Sequence, residues 1–177
     1  GIKTNLGDIK CEFIVLCAGM WSRQIGEAVG VSIPLYPNEH FYMISEDYKK
    51  KIENLPTFRD PDTYLYIREY HKKLMIGIFE PNAKNAFKKD GKVPDNFSFG
   101  EFQVNKNYVK MLHKLASKRI PEINNLNIEK YFSGPESFTP DTNYLLGETA
   151  EINNFFVCCG FNSIGIGSAG GAGKAIA

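Results

Sequence analysis

The sequence predicts an α+β fold: a mixed, mainly antiparallel sheet with flanking helices, plus an incomplete α/β domain formed by both ends of the chain. Short strand-like segments with turn residues between them occupy the middle of the chain, which is typical of antiparallel pairing. A long amphipathic helix is predicted at residues 105–119. Each end contains an apolar run followed by glycine and a helical pattern, as in an α/β unit.

Composition limits the classes of protein to consider. The 177 residues are enough for one domain or one and a half, and 43% hydrophobic residues support a real core. A net charge of +1 argues against a nucleic-acid partner or a polybasic membrane surface. No stretch approaches the roughly 18 apolar residues that span a bilayer, and no signal peptide opens the sequence. We therefore expect neither nucleic acid nor a membrane as partner.

The first predicted elements are a strand and a helix. Residues 9–18 become wholly apolar, as in a central strand covered on both faces. A helix follows at about residues 22–29, with Ile25, Ala28 and Val29 expected to face inward. The glycine between strand and helix indicates a place where backbone N–H groups meet a ligand. An ordinary strand-to-helix turn is equally consistent with this pattern.

An extended segment and a hairpin come next. Residues 33–45 are predicted to be extended, with His40 on one face and Phe41 on the other. Residues 64–69 and 74–79 predict a hairpin. Its first strand would present Tyr64, Tyr66 and Arg68 on one face, where two phenols and a guanidinium suit a small carboxylate. The alternative is a solvent-facing strand with aromatic packing.

The second half begins with the amphipathic helix, which Ile120-Pro121 ends. A strand is predicted at residues 128–133. A turn-rich stretch then leads to a short apolar run at residues 144–146.

The C-terminal end carries the strongest local pattern. Residues 155–159 are a short apolar run that predicts a buried strand, and a helical pattern rich in glycine follows Gly160. Each glycine inside a helix costs roughly 0.8–1 kcal/mol relative to alanine, so we expect a cofactor to approach the backbone there. A helix packed tightly against a sheet is the alternative. The letters of residues 165–170 match G-x-G-x-x-G, but seven residues remain after them, too few for the following strand and acidic residue of a dinucleotide fingerprint.

The four cysteines, Cys11, Cys17, Cys158 and Cys159, contain no C-x-x-C pair. We expect buried free thiols in a reducing compartment and no metal site. The last residues, Ala175-Ile176-Ala177, end a helix without a cap, so we expect a piece of a longer protein.

Several motifs resemble the FAD-dependent amine-oxidising enzymes related to D-amino-acid oxidase. These are IVLCAGMWS (14–22), GPESFTPDTNYLLGE (134–148) and NNFFVCCGFNSIGIGSAGGAGKAIA (153–177). The dimethylglycine and sarcosine dehydrogenase branch is the most similar, because PLYPNEHFYMISE (34–46), LPTFRDPDTYLYIRE (55–69), GIFEPNAK (77–84) and GPESFTPD occur in the same order. The resemblance covers nearly the whole chain.

The resemblance implies three segments. Residues 1–31 would be part of the FAD-binding domain, residues 32–132 the substrate-binding domain, and residues 133–177 the C-terminal part of the FAD-binding domain. FAD binding would be incomplete without the glycine fingerprint that the family carries near its N-terminus, and we expect the 177 residues alone to bind FAD poorly.

The resemblance also implies roles for individual residues. His40 and Tyr66 would be catalytic, holding the substrate over the flavin. The assignment of Arg68 as a substrate-binding residue rests on strand alternation, and not on a match to a residue of the family. A helix start near the flavin would stabilise the negative charge of its reduced form. The expected FAD-binding residues are Ala18, Gly19, Trp21, Phe161, Asn162, Ser163, Ile164, Gly165 and Ile166.

The function implied is oxidative demethylation of an N-methyl amino acid, such as dimethylglycine or sarcosine, by hydride transfer to FAD. The alternatives are a non-catalytic regulatory or binding relative, or another amine or amino-acid oxidase of the superfamily. Tetrahydrofolate would be expected only in a longer parent chain. The partners would be the small-molecule substrate, an electron-transfer protein and the rest of the parent chain. We expect the protein to be located in the cytoplasm, or in the mitochondrial matrix if it comes from a eukaryote.

Overall fold

The computed structural model describes residues 1–50, 52–87 and 90–177. It divides into two compact units, a first of Gly1–Asn38, Asn85–Phe97 and Glu136–Ala177, and a second of Glu39–Lys84 and Ser98–Pro135. The assignment of residues 1–31, 32–132 and 133–177 to FAD and substrate domains stays a prediction.

The strands are β1 (Ile2–Thr4), β2 (Gly7–Ile9), β3 (Ile14–Leu16), β4 (Tyr36–Ser45), β5 (Phe58–Asp60), β6 (Leu65–Tyr70), β7 (Lys73–Ile78), β8 (Ile128–Phe138), β9 (Leu145–Glu148) and β10 (Phe155–Cys159). The helices are α1 (Ser22–Ala28), α2 (Lys106–Arg119) and α3 (Gly165–Ile176), with short 3-10 turns at Gly19–Trp21 and Pro121–Asn125.

The first unit is built on a three-stranded sheet in the order β3-β10-β9. Strand β10 is parallel to β3 and antiparallel to β9, so the sheet is mixed. The strand predicted at residues 9–18 is wrong in its length. Ile9 pairs with Ile2 in the β1–β2 hairpin, whereas Ile14 pairs with Phe155. The predicted strand is therefore two separate strands, each in a different sheet.

Helix α1 lies where it was predicted, but the predicted inward face is wrong. Ile25 and Val29 are 44% and 48% exposed, and Ser22 and Gly26 are the buried positions. A Cβ atom on Gly26 would lie 2.7 Å from Cδ1 of Ile33 and 2.8 Å from the Val31 carbonyl oxygen. The helix therefore buries its glycine, because this side approaches the following segment too closely for larger residues.

The second unit contains a five-stranded sheet in the order β5-β6-β7-β4-β8. The predicted hairpin is confirmed as β6 and β7, which pair from Leu65↔Ile78 to Tyr70↔Lys73. The two turn residues, His71 and Lys72, have φ values of 49° and 64°, as a two-residue type I′ hairpin requires.

The predicted helix at residues 105–119 is confirmed as α2, and the Asn105 side chain caps it by accepting a hydrogen bond from the Asn107 N–H at 2.9 Å. Leu112 and Ala116 face the sheet. They form one core with residues of β4, β6 and β7: Phe41, Met43, Leu65, Ile67, Leu74, Ile76 and Ile78. Because side chains alternate along a strand, His40 and Tyr66 lie on the opposite face.

These elements confirm the predicted α+β class. The expectation of four buried thiols is wrong, since Cys11 and Cys17 are exposed and Cys159 is the one fully buried. Within residues 1–50, 52–87 and 90–177, no helix is both long and apolar enough to cross a bilayer.

Candidate functional site

The structure brings together His40 and Tyr66, the two predicted catalytic residues. His40 lies on β4 and Tyr66 on β6, and β7 runs between these strands. Nε2 of His40 and Oη of Tyr66 are 2.9 Å apart, within hydrogen-bond distance. The two rings are close to parallel, with centroids 5.7 Å apart.

Gly77 makes this contact across a strand geometrically feasible. It is the β7 residue paired with both Tyr66 and Tyr42. A Cβ atom built on Gly77 would overlap the phenol ring of Tyr66. The missing side chain therefore lets the phenol lean over β7 towards the imidazole.

Phe79, which follows β7 directly, stacks on His40 and completes an aromatic cluster of His40, Tyr66 and Phe79. The centroids of Phe79 and His40 are 4.9 Å apart, and those of Phe79 and Tyr66 are 5.3 Å apart. Burial lowers the pKa of His40 to about 4, so its imidazole is neutral at pH 7. The cluster is thus an apolar surface carrying one hydroxyl and one neutral imidazole.

Arg68 lies on the same face of β6 as Tyr66, as predicted from strand alternation. Its Nε donates to Sδ of Met75 at 3.3 Å, and its guanidinium carbon is 5.5 Å from the centroid of Tyr70. Its role in binding a carboxylate stays a prediction. Tyr64 precedes the strand with a φ of 60°, so strand alternation does not fix its direction.

In the first unit, the predicted cofactor residues follow the ends of two neighbouring parallel strands. Ala18 and Gly19 come after β3, and Phe161 comes shortly after β10. Gly19 and Gly160 have φ values of 56° and 70°, which favour glycine. Trp21, at the end of the first 3-10 turn, stacks on Phe97 with centroids 6.5 Å apart.

Asn162 fixes the turn between β10 and α3. Its Oδ1 accepts from the Thr139 N–H at 2.9 Å, and its Nδ2 donates to the Gly160 carbonyl oxygen at 2.6 Å. Asn162 and Ser163 have φ values of 48° and 71°, two consecutive left-handed residues. The Phe161 ring stacks on Tyr144 at 5.0 Å, so the turn is held on both sides.

Helix α3 presents a bare N-terminal turn and an exposed backbone. Its N-cap residue, Ile164, makes no side-chain hydrogen bond to the first turn, and Ile166 is fully exposed. Packing accounts for Gly165, where a Cβ would lie 3.3 Å from Cβ of Phe161. It does not account for the other four helical glycines, whose Cβ atoms would meet no described atom within 4 Å: Gly167, Gly170, Gly171 and Gly173.

These features fit the FAD that the resemblance implies. Free N–H groups and the positive end of the helix dipole suit an electron-rich or anionic group. Glycines without a packing partner leave room for a flat ring against the main chain.

Sequence reasoning missed Arg59, Gly77, Phe79 and Glu80. The guanidinium carbon of Arg59 is 4.9 Å from the centroid of Phe79. Among the residues that the structure describes, Oε1 of Glu80 is buried and has no hydrogen-bond partner, and desolvation raises the pKa of this carboxyl to about 7. Strand β5 is three residues long, too short for side-chain periodicity to reveal Arg59.

Several curated relatives match along the chain. A 4-methylaminobutanoate oxidase (formaldehyde-forming) from Paenarthrobacter nicotinovorans is 35% identical over 177 residues, covering 100% of this chain and 21% of the relative. Mitochondrial sarcosine dehydrogenase of Homo sapiens is 36% identical, covering 100% and 19%. The mitochondrial pyruvate dehydrogenase phosphatase regulatory subunit of Mus musculus is 34% identical, covering 100% and 20%. The chain thus spans about a fifth of the length of these relatives.

Solved structures support the fold. L-proline dehydrogenase from P. horikoshii superposes with a TM-score of 0.72 at 23% identity, covering 92% of this chain and 41% of that one. Iminodiacetate oxidase from Chelativorans sp. BNC1 gives a TM-score of 0.73 at 15% identity, covering 96% and 42%. The family model described as DAO, FAD dependent oxidoreductase, matches residues 1–177, which confirms the resemblance seen in the motifs. The chain belongs to this family of FAD-dependent oxidoreductases.

Proposed function

We propose that this chain forms the substrate side and part of the cofactor side of an FAD-dependent oxidoreductase that demethylates an N-methyl amino acid. The single observation that carries the proposal is the hydrogen bond between His40 and Tyr66, 2.9 Å long, on an aromatic surface. The names of two relatives, sarcosine dehydrogenase and 4-methylaminobutanoate oxidase, describe substrates of this class.

In this proposal His40 and Tyr66 orient the amine. The neutral imidazole adds no positive charge beside a substrate ammonium, so it does not repel the cation. The phenol and imidazole supply one polar edge, and Phe79 supplies an apolar wall for the N-methyl group. Such positioning limits the substrate to orientations in which the reacting C–H bond can be presented.

On the cofactor side, we assign FAD to the residues that follow β3 and β10. Ala18, Gly19 and Trp21 would line one part of the site, and residues 161–166 the other. Bound FAD would supply the hydride acceptor. The residues of this chain would contribute the bare first turn of α3, whose N–H groups stabilise negative charge.

The test uses the FAD-loaded full-length protein and dye reduction by sarcosine, dimethylglycine and 4-methylaminobutanoate. His40→Ala should lower turnover roughly 100-fold with little loss of bound flavin, because a misplaced substrate reacts slowly. His113→Ala is the matched control, since Nε2 of His113 also lies 2.9 Å from a phenol, that of Tyr131, away from the aromatic cluster. If the wild-type protein reduces dye with none of these amines or other secondary and tertiary amines, the proposal is wrong.

The second candidate is a non-catalytic regulatory relative. It is favoured by the 34% identity to the phosphatase regulatory subunit of Mus musculus. The two candidates differ in their readout: a stable protein partner recovered with the full-length protein, together with no amine-dependent dye reduction, would support regulation. Because His40 and Tyr66 are both present and lie within hydrogen-bond distance of each other, we favour the enzyme.

A further inference from the structure

A second guanidinium lies beside the aromatic cluster, and it belongs to Arg59 on β5. Arg59 and Tyr66 are direct partners in the antiparallel β5–β6 ladder, so their side chains emerge on the same face of the sheet. The guanidinium carbon of Arg59 lies 4.9 Å from the centroid of Phe79, within cation–π range. Phe79 in turn stacks on His40. Arg59 therefore belongs to the same surface as the imidazole and the phenol.

The charge of Arg59 has no counter-ion in the part of the chain that the structure describes. Its neighbour Asp60 lies on the other face of the strand and is buried, and its carboxylate pairs with Arg119, whose Nε is 2.5 Å from Oδ2. Arg23 likewise pairs with Glu27 at 3.1 Å. Arg59, in contrast, is exposed, and its guanidinium carbon lies over the ring of Phe79.

A guanidinium placed over an aromatic ring is positioned by the cation–π contact. Its planar fork of N–H donors can hold a carboxylate with two parallel hydrogen bonds. The neutral imidazole of His40 does not compete for the anion. Arg68 lies on the same face of β6 as Tyr66, but its Nε donates to Sδ of Met75 and its guanidinium carbon is 5.5 Å from the centroid of Tyr70.

We propose that Arg59 is the residue that binds the substrate carboxylate, with the aromatic cluster receiving the amine end of the same molecule. This inference rests on the proposed function and assigns the residue that recognises the carboxylate of its N-methyl amino acid substrate. Neutral esters and simple N-methyl amines lack the group that Arg59 recognises and should be poor substrates.

The experiment compares Arg59→Gln and Arg59→Lys with wild type in the FAD-loaded full-length protein, using sarcosine and its uncharged methyl ester. Loss of a charged hydrogen-bonding group costs roughly a factor of 10–150, so Arg59→Gln should raise the KM for sarcosine by about that factor. The KM for the ester should change less than about twofold, because the ester has no charge to lose. Arg59→Lys should recover part of the effect, since it keeps the charge without the planar fork.

A binding measurement independent of turnover completes the test. Methoxyacetate carries the carboxylate and cannot be oxidised at an amine, and calorimetry should show the same loss of affinity in Arg59→Gln as for sarcosine. Thermal unfolding would establish that the variants are folded.

If Arg68→Gln weakens methoxyacetate binding and Arg59→Gln does not, the assignment to Arg59 is overturned. The assignment would also be overturned if the wild-type protein oxidises sarcosine and Arg59→Gln changes the KM for sarcosine and the KM for its methyl ester by the same factor. No oxidation by wild type would instead count against the proposed function itself.

Discussion

Gly77 lies directly across the ladder from Tyr66, and the phenol ring occupies the space that a side chain at position 77 would fill. The contact between Tyr66 and His40 spans the width of β7, so it depends on the absence of a single methyl group. Gly77 has no positive φ in the range that disfavours other residues. Alanine would therefore fit the backbone here, and the three atoms nearest to its Cβ would all belong to the Tyr66 side chain.

We expect Gly77→Ala to displace Tyr66 and break its hydrogen bond to His40. Overpacking of this kind costs about 1–3 kcal/mol of unfolding free energy, which urea titration would measure. Turnover should fall with it. In a Tyr66→Ala background the same substitution should cost almost nothing, because the ring is gone. Equal costs in the two backgrounds would contradict this explanation.

The stability of the fold should depend on His40 at acidic pH. Burial lowers the pKa of the folded imidazole to about 4 from an ordinary value of 6.5. Between these values the unfolded chain binds a proton and the folded chain does not, so the unfolding free energy should decrease as pH falls from 6.5 towards 4. In His40→Asn, the unfolding free energy measured by urea titration should depend less on pH over this range. A variant with an unchanged pH slope would show that His40 is not responsible.

Titration of Glu80 should change the unfolding free energy with pH in the opposite direction to titration of His40. Its buried Oε1 has no hydrogen-bond partner in residues 1–50, 52–87 and 90–177. The carboxyl interacts electrostatically with Glu39, which is ion-paired to Lys84 at 2.9 Å, and with the phenol of Tyr108. Desolvation raises the pKa of the Glu80 carboxyl to about 7 from 4.5. Between these values the folded state holds the proton, so the unfolding free energy should decrease as pH rises from 4.5 to 7.

Glu80→Gln tests this effect because it keeps the size of the neutral acid and removes the titration. The variant should match the wild type in urea unfolding at pH 5 and be more stable at pH 8. A difference of the same size at both pH values would rule out titration of Glu80 as the cause. Between pH 4.5 and 6.5 the effects of Glu80 and His40 partly cancel in the wild type, so the single variants are needed to separate them.

The turn at Asn162 should be sensitive to substitution for two separable reasons. Asn162→Ala loses the hydrogen bonds to Thr139 and Gly160 and places a non-glycine, non-asparagine residue at φ 48°. We expect a loss of about 2–4 kcal/mol in unfolding free energy. Asn162→Gly loses the same hydrogen bonds without the strain, so urea titration should show a smaller loss. Equal losses would mean that backbone strain contributes nothing here.

The faces of β4 and β6 could be predicted from the sequence, because strand alternation is local and places His40 and Tyr66 away from the core. Their contact could not, since it depends on Gly77, a residue of a third strand. The inward face of α1 was predicted wrongly for a related reason. Hydrophobicity favoured Ile25 and Val29, whereas close approach by Val31 and Ile33 selected the glycine side.

The six residues of strand β6 alternate between the hydrophobic core and the opposite face of the sheet. Leu65 and Ile67 are inside the core, at 0% and 6% exposure, while Tyr66 and Arg68 point the other way. Every second residue of this strand can therefore be substituted without altering the hydrophobic interior, to which only the intervening residues of the strand contribute.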